Sequence, residues 1–151
     1  MFVREIMKNN SVFCTEETPL AKVYEMMTES CCDFVAVVES RAHFIPIGII
    51  TEHDICKQII GRGRNPRDMS AANVMNSNII KLSDATDLDA CLEAMKTKQT
   101  SRVFIVDENG KLCGTLTRAD IEKNRTETFT EKVFAPVELF TYRSPGVNRI
   151  F

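Results

Sequence analysis

Gly48-Ile49-Ile50-Thr51-Glu52-His53-Asp54-Ile55 and Gly114-Thr115-Leu116-Thr117-Arg118-Ala119-Asp120-Ile121 are the two stretches whose comparison decides the fold. Glycine, threonine, aspartate and isoleucine recur in one register, 66 positions apart (114 − 48). A recurrence at that distance makes two copies of one structural unit. It also makes two equivalent pairings of a hydroxyl with a carboxylate.

Working upstream, each motif is preceded by an amphipathic helix signal. Leu20, Val23, Tyr24 and Met27 fall at i, i+3, i+4 and i+7, and Leu88, Cys91, Leu92 and Met95 repeat the pattern. Both stripes match one face of a 3.6-residue period. Thr18-Pro19 reads as an N-cap followed by proline at the first helical position. Thr86-Asp87 reads as a cap with an acidic first turn. An aliphatic run follows each helix, Val35-Ala36-Val37-Val38 and Val103-Phe104-Ile105-Val106. Such runs predict strands buried on both faces. A turn and a returning strand come next. In the second copy the turn is Asp107-Glu108-Asn109-Gly110, a hairpin signal, and the strand is Lys111–Leu116. In the first copy the turn, Glu39 through Pro46, is two residues longer.

A second helix begins at each Thr-x-x-Asp, predicted over Asp54–Ile60 and from Asp120 to Asn124 or a little beyond. Upstream, Val3-Arg4-Glu5-Ile6-Met7 matches Ala71-Ala72-Asn73-Val74-Met75, so each copy opens with a short lead-in. The fold class is α/β (α+β), with two β-α-β-β-α units. A lone unit of about 60 residues buries too little surface to be comfortably stable. The expected architecture is a pseudo-twofold pair packed through its sheets. The division is residues 1–62 as first repeat, 63–69 as linker, 70–125 as second repeat and 126–151 as C-terminal extension. Phe129, Val133, Phe134, Val137, Leu139, Phe140 and Tyr142 make that extension too apolar for a disordered tail, so it is expected to pack on the pair or on a partner chain.

Composition narrows the function. With 151 residues, 44% hydrophobic and 26% charged, the chain supports one core-forming domain or two halves sharing one. A net charge of −2 argues against broad nucleic-acid binding. No apolar run approaches the ~20 residues of a membrane helix, and the first residues do not resemble a signal peptide. The six cysteines show no Cys-x-x-Cys spacing and only two histidines accompany them, a poor pattern for zinc. They read as reduced, mostly buried thiols of a cytoplasmic protein. No P-loop, metal signature or nucleophile–base pair is present, so the chain is not expected to be an enzyme. Gly61-Arg62-Gly63-Arg64-Asn65-Pro66-Arg67 reads as a solvated linker.

The lead-in ending in Met, the amphipathic helix, the buried strand followed by an acidic residue and Gly-x-x-Thr-x-x-Asp-Ile, all twice, resemble a tandem CBS-domain pair, or Bateman module. The resemblance covers about residues 1–124. It implies a stand-alone regulatory module, commonly a homodimer, that binds AMP, ADP, ATP, S-adenosylmethionine or NAD between its repeats and signals to a partner protein. It implies that Asp54 and Asp120 hold a ribose diol and that Thr51 and Thr117 lie near the phosphates. His53, Arg102 and Arg118 are the candidate phosphate cations; Phe34 stands where Arg102 does in the other copy, and Ala119 where His53 does. Val12 and Ile80 fall in the segments that match the family's adenine contacts. AMP, ADP or ATP is the expected regulatory ligand, with no catalytic cofactor and no metal.

Chemistry agrees with those roles. One carboxylate accepts from both hydroxyls of a vicinal diol. Phosphates want hydroxyls, backbone amides and cations. A competing reading remains: Thr-x-x-Asp is also a capping-box helix start. Under it the pair is a ligand-free dimerising scaffold.

Overall fold

The structure is a computed structural model and describes residues 1–9 and 12–134, with side chains as far as residue 127. The first copy runs β1 (Phe13–Thr15), α1 (Leu20–Ser30), β2 (Phe34–Val38), β3 (Pro46–Thr51) and α2 (Glu52–Cys56). A π-wound segment, Lys57–Gly61, extends α2. After α3 (Ala71–Val74) the second copy runs β4 (Lys81–Ser83), α4 (Leu88–Lys98), β5 (Arg102–Val106), β6 (Leu112–Thr117) and α5 (Arg118–Phe134). Each copy is thus β-α-β-β-α, as its patterning predicts.

The two sheets have one topology. β1 pairs parallel to β2 and β2 antiparallel to β3; β4, β5 and β6 repeat this. Even the irregularities are duplicated. The ladder slips between Val37 and Val38, and again between Ile105 and Val106. Central strands β2 and β5 are buried on both faces, which is why their sequences do not alternate. Val35 and Val37 enter a core with Leu20, Val23, Met27 and Ile50. Val103 and Ile105 enter another with Leu88, Cys91, Met95 and Leu116. On the opposite faces Ala36, Val38, Phe104 and Leu112 meet in a third cluster that joins the two sheets.

The lead-ins exchange places. Val3 is fully buried in the core of the second copy, and Val3 N donates to Thr86 O at 2.9 Å. Lys8 and Thr115 exchange backbone bonds of 2.9 and 3.0 Å. Reciprocally, Met69, Ala71 and Val74 are buried in the core of the first copy, and Asn76 and Ile49 exchange bonds of 2.8 and 3.0 Å. Each core is therefore closed by the lead-in that belongs, in sequence, to the other copy.

Several local expectations are corrected. α1 starts at Leu20 with Pro19 in the cap position, and the Thr18 hydroxyl accepts instead from Thr15 N at 3.1 Å. Asp87 caps α4, accepting from Asp89 N at 3.1 Å. Tyr24, 59% exposed, lies at the flank of the α1 stripe, where its long ring reaches solvent. Gly110 takes the only positive φ (+81°) in the Asp107–Gly110 turn, and Asp107 Oδ1 accepts from Asn109 N and Lys111 N. The longer turn of the first copy has its own work: Phe44 packs edge-on against Phe13, and Phe44 O accepts from Leu112 N at 2.8 Å. Cys14 and Cys91 are buried, but Cys31 and Cys56 are exposed and Cys32 and Cys113 half-buried. Burial pushes the Cys14 thiol up to about 11, so it stays protonated. The packing expected of the apolar tail falls on Phe129 to Tyr142, beyond the described side chains. No helix among the described residues is long and apolar enough to cross a membrane.

Candidate functional site

The site begins where a strand turns into a helix. At both motifs the chain leaves a strand extended and enters a helix at the next residue. The first helical N–H groups have no partners within the helix. Thr51 Oγ1 accepts from Asp54 N at 3.2 Å, and Thr117 Oγ1 accepts from Asp120 N at 3.1 Å. In return Asp54 Oδ2 accepts from Thr51 N (2.9 Å) and Oγ1 (2.8 Å). Asp120 Oδ2 accepts from Thr117 N (3.1 Å) and Oγ1 (2.8 Å). Both are complete capping boxes. Both boxes use one carboxylate oxygen, Oδ2. Oδ1 of Asp54 has no hydrogen-bond partner among the described residues. Oδ1 of Asp120 lies 3.0 Å from Lys8 Nζ. Capping therefore leaves the second oxygen of each carboxylate for another task.

Around Asp120 a cavity of about 430 Å³ opens between the copies. Thr117, Ala119, Asp120, Ser101, Arg102 and Thr115 line it from the second copy. Cys31, Cys32, Asp33, Phe34 and Val12 line it from the first, and Lys8 from the lead-in. Strand register explains part of the grouping, because Arg102 on β5 is the direct partner of Thr117 on β6. Arg102 is held in place twice. Its Nη2 donates to Asp33 Oδ2 at 2.7 Å, and its guanidinium lies 5.2 Å from the centre of the Phe34 ring. Its Nε is buried and has no hydrogen-bond partner among the described residues. Two cations and two carboxylates thus share the cavity, each cation on one carboxylate.

Burial acts most strongly on Asp120 and raises its pKa. The Thr117 hydroxyl, the Lys8 ammonium and the Thr117 N–H outweigh that, and the net shift is downward. At neutral pH the group is an anion ready to accept hydrogen bonds.

Of the residues singled out in the sequence, Thr117, Asp120, Arg102 and Val12 come together on this cavity. Thr51, His53 and Asp54 lie at the pseudo-equivalent junction outside it, with His53 exposed. Arg118 lies outside it too; its Nε donates to Glu122 at 3.3 Å, and it lines a depression between α4 and α5. Ile80 is a core residue, 8% exposed, whose carbonyl accepts from Phe104 N. Lys8, Asp33, Cys31 and Cys32 were not singled out by sequence reasoning. Lys8 carried a signal: it aligns with Asn76 (76 − 8 = 68), a break in the repeat next to a matched methionine.

The family model for the CBS domain matches residues 3–61 and again residues 71–126. The chain belongs to the CBS domain family. This CBS domain pair is 33% identical over 105 residues to an uncharacterised protein of Methanopyrus kandleri, covering 70% of this chain and 52% of that one. It is 23% identical over 124 residues to the gamma subunit of the 5'-AMP-activated protein kinase of Saccharomyces cerevisiae, covering 78% of this chain and 38% of the subunit. The pair spans about half the length of the first curated relatives it matches, 52% and 54%. Among solved structures, its fold matches the CBS domain pair of a protein crystallised with 5'-methylthioadenosine and S-adenosyl-L-methionine. The TM-score is 0.73 at 18% identity, covering 85% of this chain and 98% of that one.

Proposed function

We propose that this CBS domain pair is a regulatory, non-catalytic module that binds an adenosine-containing ligand, AMP, ADP or ATP, in the cavity between its repeats. The observation that carries the reading is the assembly of a carboxylate, a hydroxyl, two cations and apolar walls on one cavity, with Asp120 capping its helix through one oxygen only. Asp120 Oδ1 accepts from the ribose diol. The Thr117 hydroxyl and Arg102, whose Nε has no partner among the described residues, serve the phosphates. Val12 flanks the base. Thr51, His53 and Asp54 form a second site of the same design, where Asp54 Oδ1 is already open. The likeness to a kinase subunit named for 5'-AMP activation and to a pair crystallised with two adenosine derivatives supports the ligand class. Binding biases the angle between repeats, or between two pairs in a homodimer, and a partner protein reads it. The bias equals the ligand's differential affinity for the two arrangements.

Isothermal titration with AMP, ADP, ATP and S-adenosylmethionine tests this, using the wild type and Asp120→Asn. The amide keeps an acceptor for the cap but loses the charge-assisted grip on two hydroxyls. Affinity is expected to fall about tenfold or more, while stability falls by about 1 kcal/mol or less. Lost stability with unchanged affinity would leave Asp120 a cap alone, and silence from every ligand would leave a scaffold.

A further inference from the structure

We propose that Lys8 is a built-in placeholder on Asp120, and that it sets a demand for a ligand carrying both a diol and an anionic group. This rests on the reading of Asp120 as the diol acceptor. Lys8 Nζ lies 3.0 Å from Asp120 Oδ1, the oxygen the capping box leaves over. The ammonium is 68% exposed and the carboxylate 19%, so the lysine reaches in from solvent to a mostly enclosed anion. Its backbone is pinned at the cavity wall by the two bonds to Thr115, so only the side chain needs to swing.

A diol that takes Asp120 Oδ1 displaces the ammonium. A neutral nucleoside breaks that ion pair and offers Lys8 nothing. A nucleotide breaks it and supplies phosphate oxygens within the same cavity, beside Arg102. The cation is then transferred from the carboxylate to the ligand rather than stranded. Two exchanges run in parallel, because Arg102 is likewise parked on Asp33 at 2.7 Å. The other junction has no such device. Asn76 occupies the position equivalent to Lys8, its Oδ1 accepts from Asn78 N at 2.9 Å, and Asp54 Oδ1 has no partner among the described residues. The two junctions therefore differ in selectivity: the Asp120 cavity discriminates against uncharged nucleosides and the Asp54 junction does not.

Titration of the full chain with adenosine, AMP and ATP, as wild type, Lys8→Met and Lys8→Arg, tests the proposal. Lys8→Met is expected to bind adenosine more tightly and AMP and ATP more weakly, lowering the nucleotide-to-nucleoside preference about tenfold or more. Lys8→Arg keeps the charge and is expected to stay near wild type. The Lys8 side chain is 68% exposed, so neither substitution touches a core, and a thermal melt of each variant checks the fold. Equal changes for nucleoside and nucleotide, or no change, would overturn the placeholder while leaving the ligand reading standing. Adenosine binding to Lys8→Met with no nucleotide bound by any variant would overturn the demand for an anionic group. No binding to any variant would overturn both.

Discussion

At the scale of single residues, the glycine of the repeated motif is explained by what crosses it. A Cβ on Gly114 would lie 2.6 Å from Met7 Sδ and 3.0 Å from Lys8 O; one on Gly48 would lie 2.9 Å from Met75 Sδ and 3.3 Å from Asn76 O. The thioether can yield, but the carbonyl belongs to the paired backbone at the cavity wall. Gly114→Ala is expected to cost about 1–3 kcal/mol in urea unfolding. Gly61→Ala, with open space around it, should change stability by under about 0.5 kcal/mol. Equal costs at the two positions would remove the crowding argument. The glycine's register was legible in the sequence. Its reason was not, because the crowding atoms belong to segments 107 residues away for Gly114 (114 − 7) and 27 for Gly48 (75 − 48).

The strand-to-helix junction is where element and chemistry meet, and its acid sensitivity follows from the shift on Asp120. The folded-state pKa is depressed, so the stabilisation is fully present above the ordinary carboxyl value. It is lost as pH falls below about 3.9 toward the lower folded value. Acid unfolding followed by circular dichroism should show a shallower loss of stability in this range for Asp120→Asn than for wild type; superimposable acid limbs would contradict it. The elements themselves were mostly legible. Stripes such as Leu20, Val23 and Met27, and the unbroken aliphatic run of β2, report burial directly. Caps were harder. Thr18 is a good cap residue, yet its hydroxyl bonds back into the turn at Thr15, a choice made by local geometry that composition does not encode. α5 extends to Phe134, ten residues past Asn124, because the polar run Arg125–Glu127 has ordinary helix propensity but no apolar period to announce it.

On the scale of the whole molecule, the exchanged lead-ins make the halves interdependent. Val3 is fully buried among second-copy residues, with Ile6 and Met7 packed against them. Deleting residues 2–8 removes burial worth about 1.5–3 kcal/mol for Val3 alone and opens that core to water. Hydrogen exchange is expected to show β5 and α4 losing protection well before β2 and α1; uniform loss would mean that the lead-in supports both halves equally. The sequence displayed the two lead-ins plainly, Val3–Met7 against Ala71–Met75. It did not show which core each serves, since duplicated partners offer either lead-in the same reception. The cavity inherits that ambiguity: Asp120 and Thr117 were legible through the motif and Arg102 through the family resemblance at the start of β5, while Lys8 arrives by the exchange.

The exchange also orders events during synthesis. The first copy has all its parts once Asn76 has left the ribosome, because Met69 to Asn76 complete it. Residues 1–8 emerge before the rest of the pair and then wait for Thr115 and Ile121, their partners in the second core. At roughly 5–20 residues per second, that lead-in spends several seconds beside a finished neighbour whose own place is already filled by Met69, Ala71 and Val74.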